Sequence, residues 1–177
     1  NYASLPPLSF GSQGATRGDE CEYMIFSPDD ADFLAWADTI KDFRVKQGIS
    51  TKVFNIADFG GNATGIENKI DDAYNNWTTK PIAALMLGDL PYMPVFSVSG
   101  YSSMLSDNKY ADVNGDDLPE INIARITARN AADLDLMVNK FIDYETAPPT
   151  NPSFYDEPVI AGGWQSDRWF IICADVI

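Results

Sequence analysis

Apolar positions along the chain alternate between short continuous runs and longer segments with helical spacing. Glu22 to Phe26, inside CEYMIFS, is a run of strand length. Ser27-Pro28-Asp29-Asp30 follows as a turn and helix start, with acids at the positive end of the helix dipole. From Ala31 to Gln47, the residues Phe33, Trp36, Ala37, Ile40 and Phe43 recur at helical spacing, and Gly48 closes the helix. Thr51 to Ile56 predicts a second strand. Thr64 and Glu67 then have capping-box spacing at the start of a second helix, with Ile66, Ile70, Ala73 and Trp77 as its apolar stripe. Ile82 to Leu87 (IAALML) is continuously apolar, as in a strand buried on both faces. The stretch PYMPVFSVSGYSSMLSDNKY is less regular and reads as a loop. Ile121, Ile123 and Ile126 surround a fourth strand, and Asn130 caps a helix with Leu134, Met137, Val138 and Phe141 inward. Pro148-Pro149 ends that unit, Pro158 to Ala161 predicts a further strand, and Trp169 to Ile177 the beginning of a helix.

Strands alternating with helices in this way imply an α/β fold, a largely parallel sheet with helices on both faces. Residues 1–20, rich in Pro, Gly and Ser, form an expected N-terminal arm; 21–150 make the first α/β subdomain and 151–177 open a second. The last element stops without a capping signal, so the chain is expected to be a fragment or a processed piece.

Composition changes the picture mainly by exclusion. The 177 residues carry 26 acidic and 12 basic side chains, a formal charge of −14, which opposes nucleic-acid binding and adhesion to anionic membranes. No apolar run is long enough to insert into a bilayer. There is no histidine, so a Ser-His-Asp or Cys-His arrangement cannot be completed within this chain, and a zinc site is disfavoured. Cys21 and Cys173 have no metal-ligand spacing; one disulfide and two separate thiols are both compatible with the sequence. Gly60-Gly61-Asn62 precedes a helix but lacks a dinucleotide fingerprint or a Walker lysine.

The candidate chemistry lies in Asp112-Val113-Asn114-Gly115-Asp116-Asp117-Leu118-Pro119-Glu120. Oxygen-bearing side chains at alternate positions around a glycine, closed by a glutamate, suit a hard cation such as calcium, which takes six to eight oxygens. The competing reading is a solvated acidic turn. Asp89, just past the carboxyl end of a buried strand, would approach this loop if the two strands were neighbours.

Three segments in order resemble the gingipain family of cysteine peptidases. They are Leu85-Met86-Leu87-Gly88-Asp89, the run from Ser106 through the acidic loop to Arg125, and Val159-Ile160-Ala161-Gly162-Gly163. The resemblance implies a caspase-like three-layer sandwich, of which this chain supplies the first subdomain and the start of the second. It implies structural calcium, with Asp89, Asp116, the Leu118 carbonyl and Glu120 as matching ligands and Asp112 and Asn114 as further ones. It places the catalytic His and nucleophilic Cys in the remaining part of the catalytic domain, beyond Ile177, so neither Cys21 nor Cys173 is the nucleophile. Some gingipains orient that His with an acid after the Ala-Gly strand end. Here Trp164 and Gln165 stand in its place, so either a Cys-His dyad acts without a third member or Asp167 orients the His from a shifted loop.

The expected function is therefore the N-terminal portion of a secreted or cell-surface cysteine endopeptidase acting on peptides or proteins. The alternative is a non-catalytic, calcium-stabilised α/β module for surface attachment or protein binding.

Overall fold

The computed structural model describes residues 20–98, 104–156, 159 and 171–173. They fall into two compact units, Asn1–Asn139 and Lys140–Ile177.

The first unit is built on four parallel strands: β1 (Tyr23–Ser27), β2 (Thr51–Asn55), β3 (Ala83–Leu87) and the strand Asn122–Ile126. A hairpin of β4 (Phe96–Val98) and β5 (Met104–Ser106) precedes the last of these, which is β6. The sheet order is β2-β1-β3-β6. Two helices make the crossovers, α1 (Ala31–Lys46) from β1 to β2 and α2 (Ala63–Asn76) from β2 to β3. The second crossover passes over β1 in the opposite sense to the first. Right-handed connections therefore put α1 and α2 on opposite faces, a three-layer α/β sandwich.

Strand alternation divides the core accordingly. Met24, Phe26, Phe54, Ala84 and Met86 face Ile66, Ile70 and Ala73 of α2, together with Tyr110 and Ala111 of the short helix α3 (Asn108–Ala111). Ile25, Leu85 and Leu87 are buried too and point to the other face, where Phe33, Ala37 and Ile40 are the buried side of α1. The continuous apolar character of Ala84–Leu87 thus has its expected cause, burial on both faces, whereas Ile82 precedes the strand and is 61% exposed.

Local signals explain most element ends. The Asp30 side chain accepts from Asp32 N and Phe33 N and starts α1. Asn130 accepts from Asp133 N at 2.9 Å and starts α4 (Ala131–Thr146). The second helix begins differently from its sequence signature. Its cap is Asn62, which accepts from Gly65 N at 2.9 Å, and Thr64 lies within the first turn. A 3₁₀ turn, Ile56–Phe59, ends on Gly60 at φ 81° and delivers the chain to Asn62, so the backbone has already entered the helix at Thr64. The stretch read as a loop contains β4, β5 and α3. Strands of three residues are too short to carry a period. Met137 is 36% exposed rather than inward, while Leu134 and Val138 are buried; α4 buries a narrower stripe than its spacing predicts.

Glu20, placed in the arm by sequence, accepts from Thr78 N and Thr79 N at 3.2 Å. In the second unit the end of α4 leads to a short helix, α5 (Ser153–Asp156). Phe154 packs there against Tyr144 in a tilted pair and against Tyr155 edge-to-face, with ring centroids 6.1 and 5.1 Å apart. Of the strand expected at Pro158–Ala161, only Val159 is described; it is 96% exposed and not in a strand. The last helix is described at 171–173 alone. Cys21 is buried and Cys173 exposed, and both are free thiols.

Candidate functional site

In an open parallel sheet, ligands collect outside the carboxyl ends of the strands, where the chain reverses its direction of winding. Here the reversal lies between β1 and β3, because β2 and β3 flank β1. The segments at this edge are Ser27 at the end of β1 with Pro28-Asp29 after it, Asn55 at the end of β2, and Gly88-Asp89 after β3. Asn55 Nδ2 donates to Asp29 Oδ1 at 2.8 Å, joining the first two. Gly88 has φ 115°, and a Cβ there would lie 2.9 Å from Tyr92 Cβ and 3.3 Å from the Phe33 ring. Only glycine lets the chain turn this tightly over Phe33, which stacks on Tyr92 at 4.8 Å.

Arg125 of β6 organises the same edge. Its guanidinium, 11% exposed, has five N–H donors and uses all of them. Nε and Nη2 bind the two oxygens of Asp107 side-on at 2.8 and 2.6 Å. Nη1 donates to Gly88 O and Met93 O, and Nη2 also to Pro94 O, at 2.9–3.1 Å. One side chain thereby ties the end of β3, the turn after it and the entry to α3. Tyr110 strengthens the same corner by donating to Pro94 O at 2.8 Å; burial pushes its phenol up to about 12. These contacts frame a shallow cleft of about 170 Å³, with Leu90, Val95 and Leu105 beside the Arg125–Asp107 pair. A charged residue among the Ile and Ala of a strand was the available signal for Arg125. Its partner Asp107, eighteen residues away, carries none.

Asp89 belongs to this edge. Its Oδ1 accepts from Leu90 N at 2.9 Å and its Oδ2 from Arg129 Nε at 3.2 Å. The Leu90 amide and then the Arg129 guanidinium hold its carboxyl below the usual range. Its expected place beside the acidic loop is corrected by the strand register. β3 and β6 are neighbours, but they are parallel, and Leu87 pairs with Ile126 while Ala83 pairs with Asn122. Asp89 follows one strand and the acidic loop precedes the other. The two are separated by a five-residue strand, about 15 Å of extended chain.

The acidic loop itself is brought together. Asp112 Oδ1 accepts from Gly115 N and Asp116 N, and its Oδ2 from Asp117 N, at 2.8–3.0 Å. Asn114 Oδ1 accepts from Asp116 N and Asp116 Oδ1 from Leu118 N. Glu120 reaches back to Val113 N at 2.7 Å, to Asn114 N and to the Asn114 side chain. Gly115 at φ 78° and Asp117 at φ 69° make the reversals. The donor set is all oxygen and matches a hard cation in kind. Its carboxylates, however, lie on the loop's own amides, and among the described residues no group of three His, Cys, Asp or Glu side chains is arranged to hold a metal. Asp71 of α2 faces the same side. Burial, then Glu67 and Asp112, raise its pKa against the pull of Lys109, which pairs with Glu67 at 3.3 Å. Asp167, the candidate His-orienting acid, lies outside the described residues.

The model of peptidase family C25 matches residues 16–174. The chain belongs to that family, the gingipain-type cysteine peptidases. Among solved structures it is similar to the Arg-specific cysteine proteinase gingipain R (RgpB). Identity is 22% and the TM-score 0.60, over 69% of this chain and 28% of that one. It is also similar to a protease at 22% identity and TM-score 0.68, over 81% and 33% respectively. A third likeness is to dimeric latent PorU from Porphyromonas gingivalis, at 17% identity and TM-score 0.60, over 87% and 18%. These likenesses establish the caspase-like α/β fold, and the chain spans a third or less of each protein. No curated protein sequence matches the chain.

Proposed function

We propose that this chain is the N-terminal portion of the catalytic domain of a secreted cysteine endopeptidase. The hydrolysis is carried out by a Cys thiolate and a His in the rest of that domain, acting on peptide or protein substrates. The observation that carries this reading is the family match across residues 16–174, combined with a chain that has no histidine. In this reading the His that serves as general base lies outside this sequence, which has none. The chain supplies the sheet and the crevice wall formed by the segments after β1 and β3. The test uses the full-length protein and a set of fluorogenic peptides. Cleavage abolished by a thiol alkylating agent, and by replacing a His outside this sequence, is the expected result. Cleavage insensitive to both, or its absence, rejects the reading.

We propose further that the acidic loop is a structural calcium site formed by Asp112, Asn114, Asp116, the Leu118 carbonyl and Glu120. Supporting it are the alternating oxygens and a backbone already wound tightly by Gly115 and Asp117. Because cation contacts compete with the loop's own N–H donors, the affinity is expected in the weak range of extracellular modules, roughly 0.1–1 mM. Calcium at ten times the dissociation constant should then add about 1.4 kcal/mol of stability, seen as a raised Tm. Glu120→Ala should abolish the response. An identical Tm in calcium and in chelator would exclude the site.

A further inference from the structure

The cleft at the carboxyl ends of β3 and β6 has a chemistry that selects its occupant. Every charge around it is already matched within the chain. Arg125 has no donor left, and both oxygens of Asp107 are bound to it. Both oxygens of Asp89 are engaged, by Leu90 N and Arg129 Nε. A ligand anion would find no free donor on Arg125, and a ligand cation would have to share a carboxylate with Arg125 or Arg129. The surfaces still seeking contact are apolar: Leu105 is 60% exposed and Leu90 46% exposed, with half-buried Val95 lining the cleft beside them. Ser106 Oγ accepts from Asn108 N and keeps its own proton to donate to a neutral carbonyl. The volume, about 170 Å³, is close to that of an apolar cavity of roughly 150 Å³ that takes one benzene ring.

We propose that this cleft is a subsite for one large apolar side chain, aliphatic or aromatic, of a peptide laid across the carboxyl edge of the sheet. The proposal rests on the peptidase reading above. Arg125 acts as its positioning residue: it touches no apolar group of the ligand but holds the turn that carries Leu90 and the strand end that carries Leu105.

The test takes the full-length protein and peptides in which Leu, Phe, Ala, Asp or Lys is placed in turn at each position around the cleaved bond. At one position Leu or Phe should raise kcat/KM roughly tenfold over Ala, with Asp and Lys below Ala. Leu105→Asp, at an exposed position, should erase that preference, whereas Leu136→Asp, exposed on α4, should leave it intact. A preference unchanged in Leu105→Asp, or lost equally in both variants, overturns the assignment. A second measurement does not depend on turnover. Peptides carrying a benzophenone side chain are photo-cross-linked and the attachment is mapped by mass spectrometry. Attachment at Leu90 or Leu105, lost in Leu105→Asp, supports the subsite; attachment elsewhere overturns it. Cross-linking to the cleft without cleavage of any peptide would reject the peptidase reading and leave the subsite standing.

Discussion

Replacing Arg125 tests whether the carboxyl edge of the sheet is held by one side chain. Arg125→Ala removes five hydrogen bonds and leaves the Asp107 carboxylate, 25% exposed, without its cation. It also withdraws the guanidinium donors from the Gly88 and Met93 carbonyls, while Pro94 O keeps the Tyr110 hydroxyl. Removing one partner of a buried ion pair costs about 3–5 kcal/mol. The cleft admits water to Asp107, so the lower end applies, about 3 kcal/mol. That is a large share of a typical domain stability of about 5–15 kcal/mol. Arg125→Lys retains a charge for Asp107 but cannot reproduce the planar fork, and about half of that cost is expected. Urea unfolding measures both, read as a shift of the midpoint at constant slope. A double-mutant cycle with Asp107→Ala should return a coupling of about 2 kcal/mol, since the two residues share one network. Arg125→Ala within 0.5 kcal/mol of the parent, or losses that simply add, would refute the account; the 0.5 kcal/mol limit is roughly the effect of an unremarkable surface change.

Three further outcomes follow from the first unit's packing. Burial lifts the Cys21 thiol from its ordinary 9.0 to about 11, against the opposing pull of Lys52 and Lys69. The unfolded chain therefore loses this proton first, and stability should fall as pH rises from about 9 through 11. At neutral pH a thiol reagent should label exposed Cys173 and spare Cys21; rapid labelling of both in the native protein would contradict the burial. Lys69 Nζ lies 4.9 Å from the Trp77 ring centroid and 5.3 and 5.8 Å from those of Phe54 and Phe59. Lys69→Met keeps the stem and removes the cation, so about 1 kcal/mol should be lost, measurable by denaturant unfolding; no loss would mean the rings gain nothing from the charge. Asn62→Ala should cost about 1 kcal/mol and Thr64→Ala much less, because Asn62 is the cap of α2; the reverse order would restore the capping-box assignment.

The kinds of element and their order are written in the spacing of apolar residues along the chain. Strand-length apolar runs at Tyr23–Ser27, Ala83–Leu87 and Asn122–Ile126, separated by helical stripes, leave little choice but a parallel α/β sheet. These signals are local: side-chain burial on one face of a helix, or on both faces of a strand, is written into spacing over a few residues. The acidic loop was legible for the same reason, since its hydrogen bonds run between residues two to nine apart. The make-up of the sheet edge depends instead on which strand ends meet, which local spacing does not record. Asp89 and the acidic loop are each attached to neighbouring strands, but parallel pairing sends them to opposite edges of the sheet. Arg125 and Asp107 come together because β6 carries the guanidinium beneath the turn after β3. Asn62 displaced Thr64 as a cap because the preceding 3₁₀ turn set where the helix could begin. Spacing along the chain fixes the face on which a side chain lies. Strand order and direction fix the edge it reaches, and those are settled by packing between distant segments.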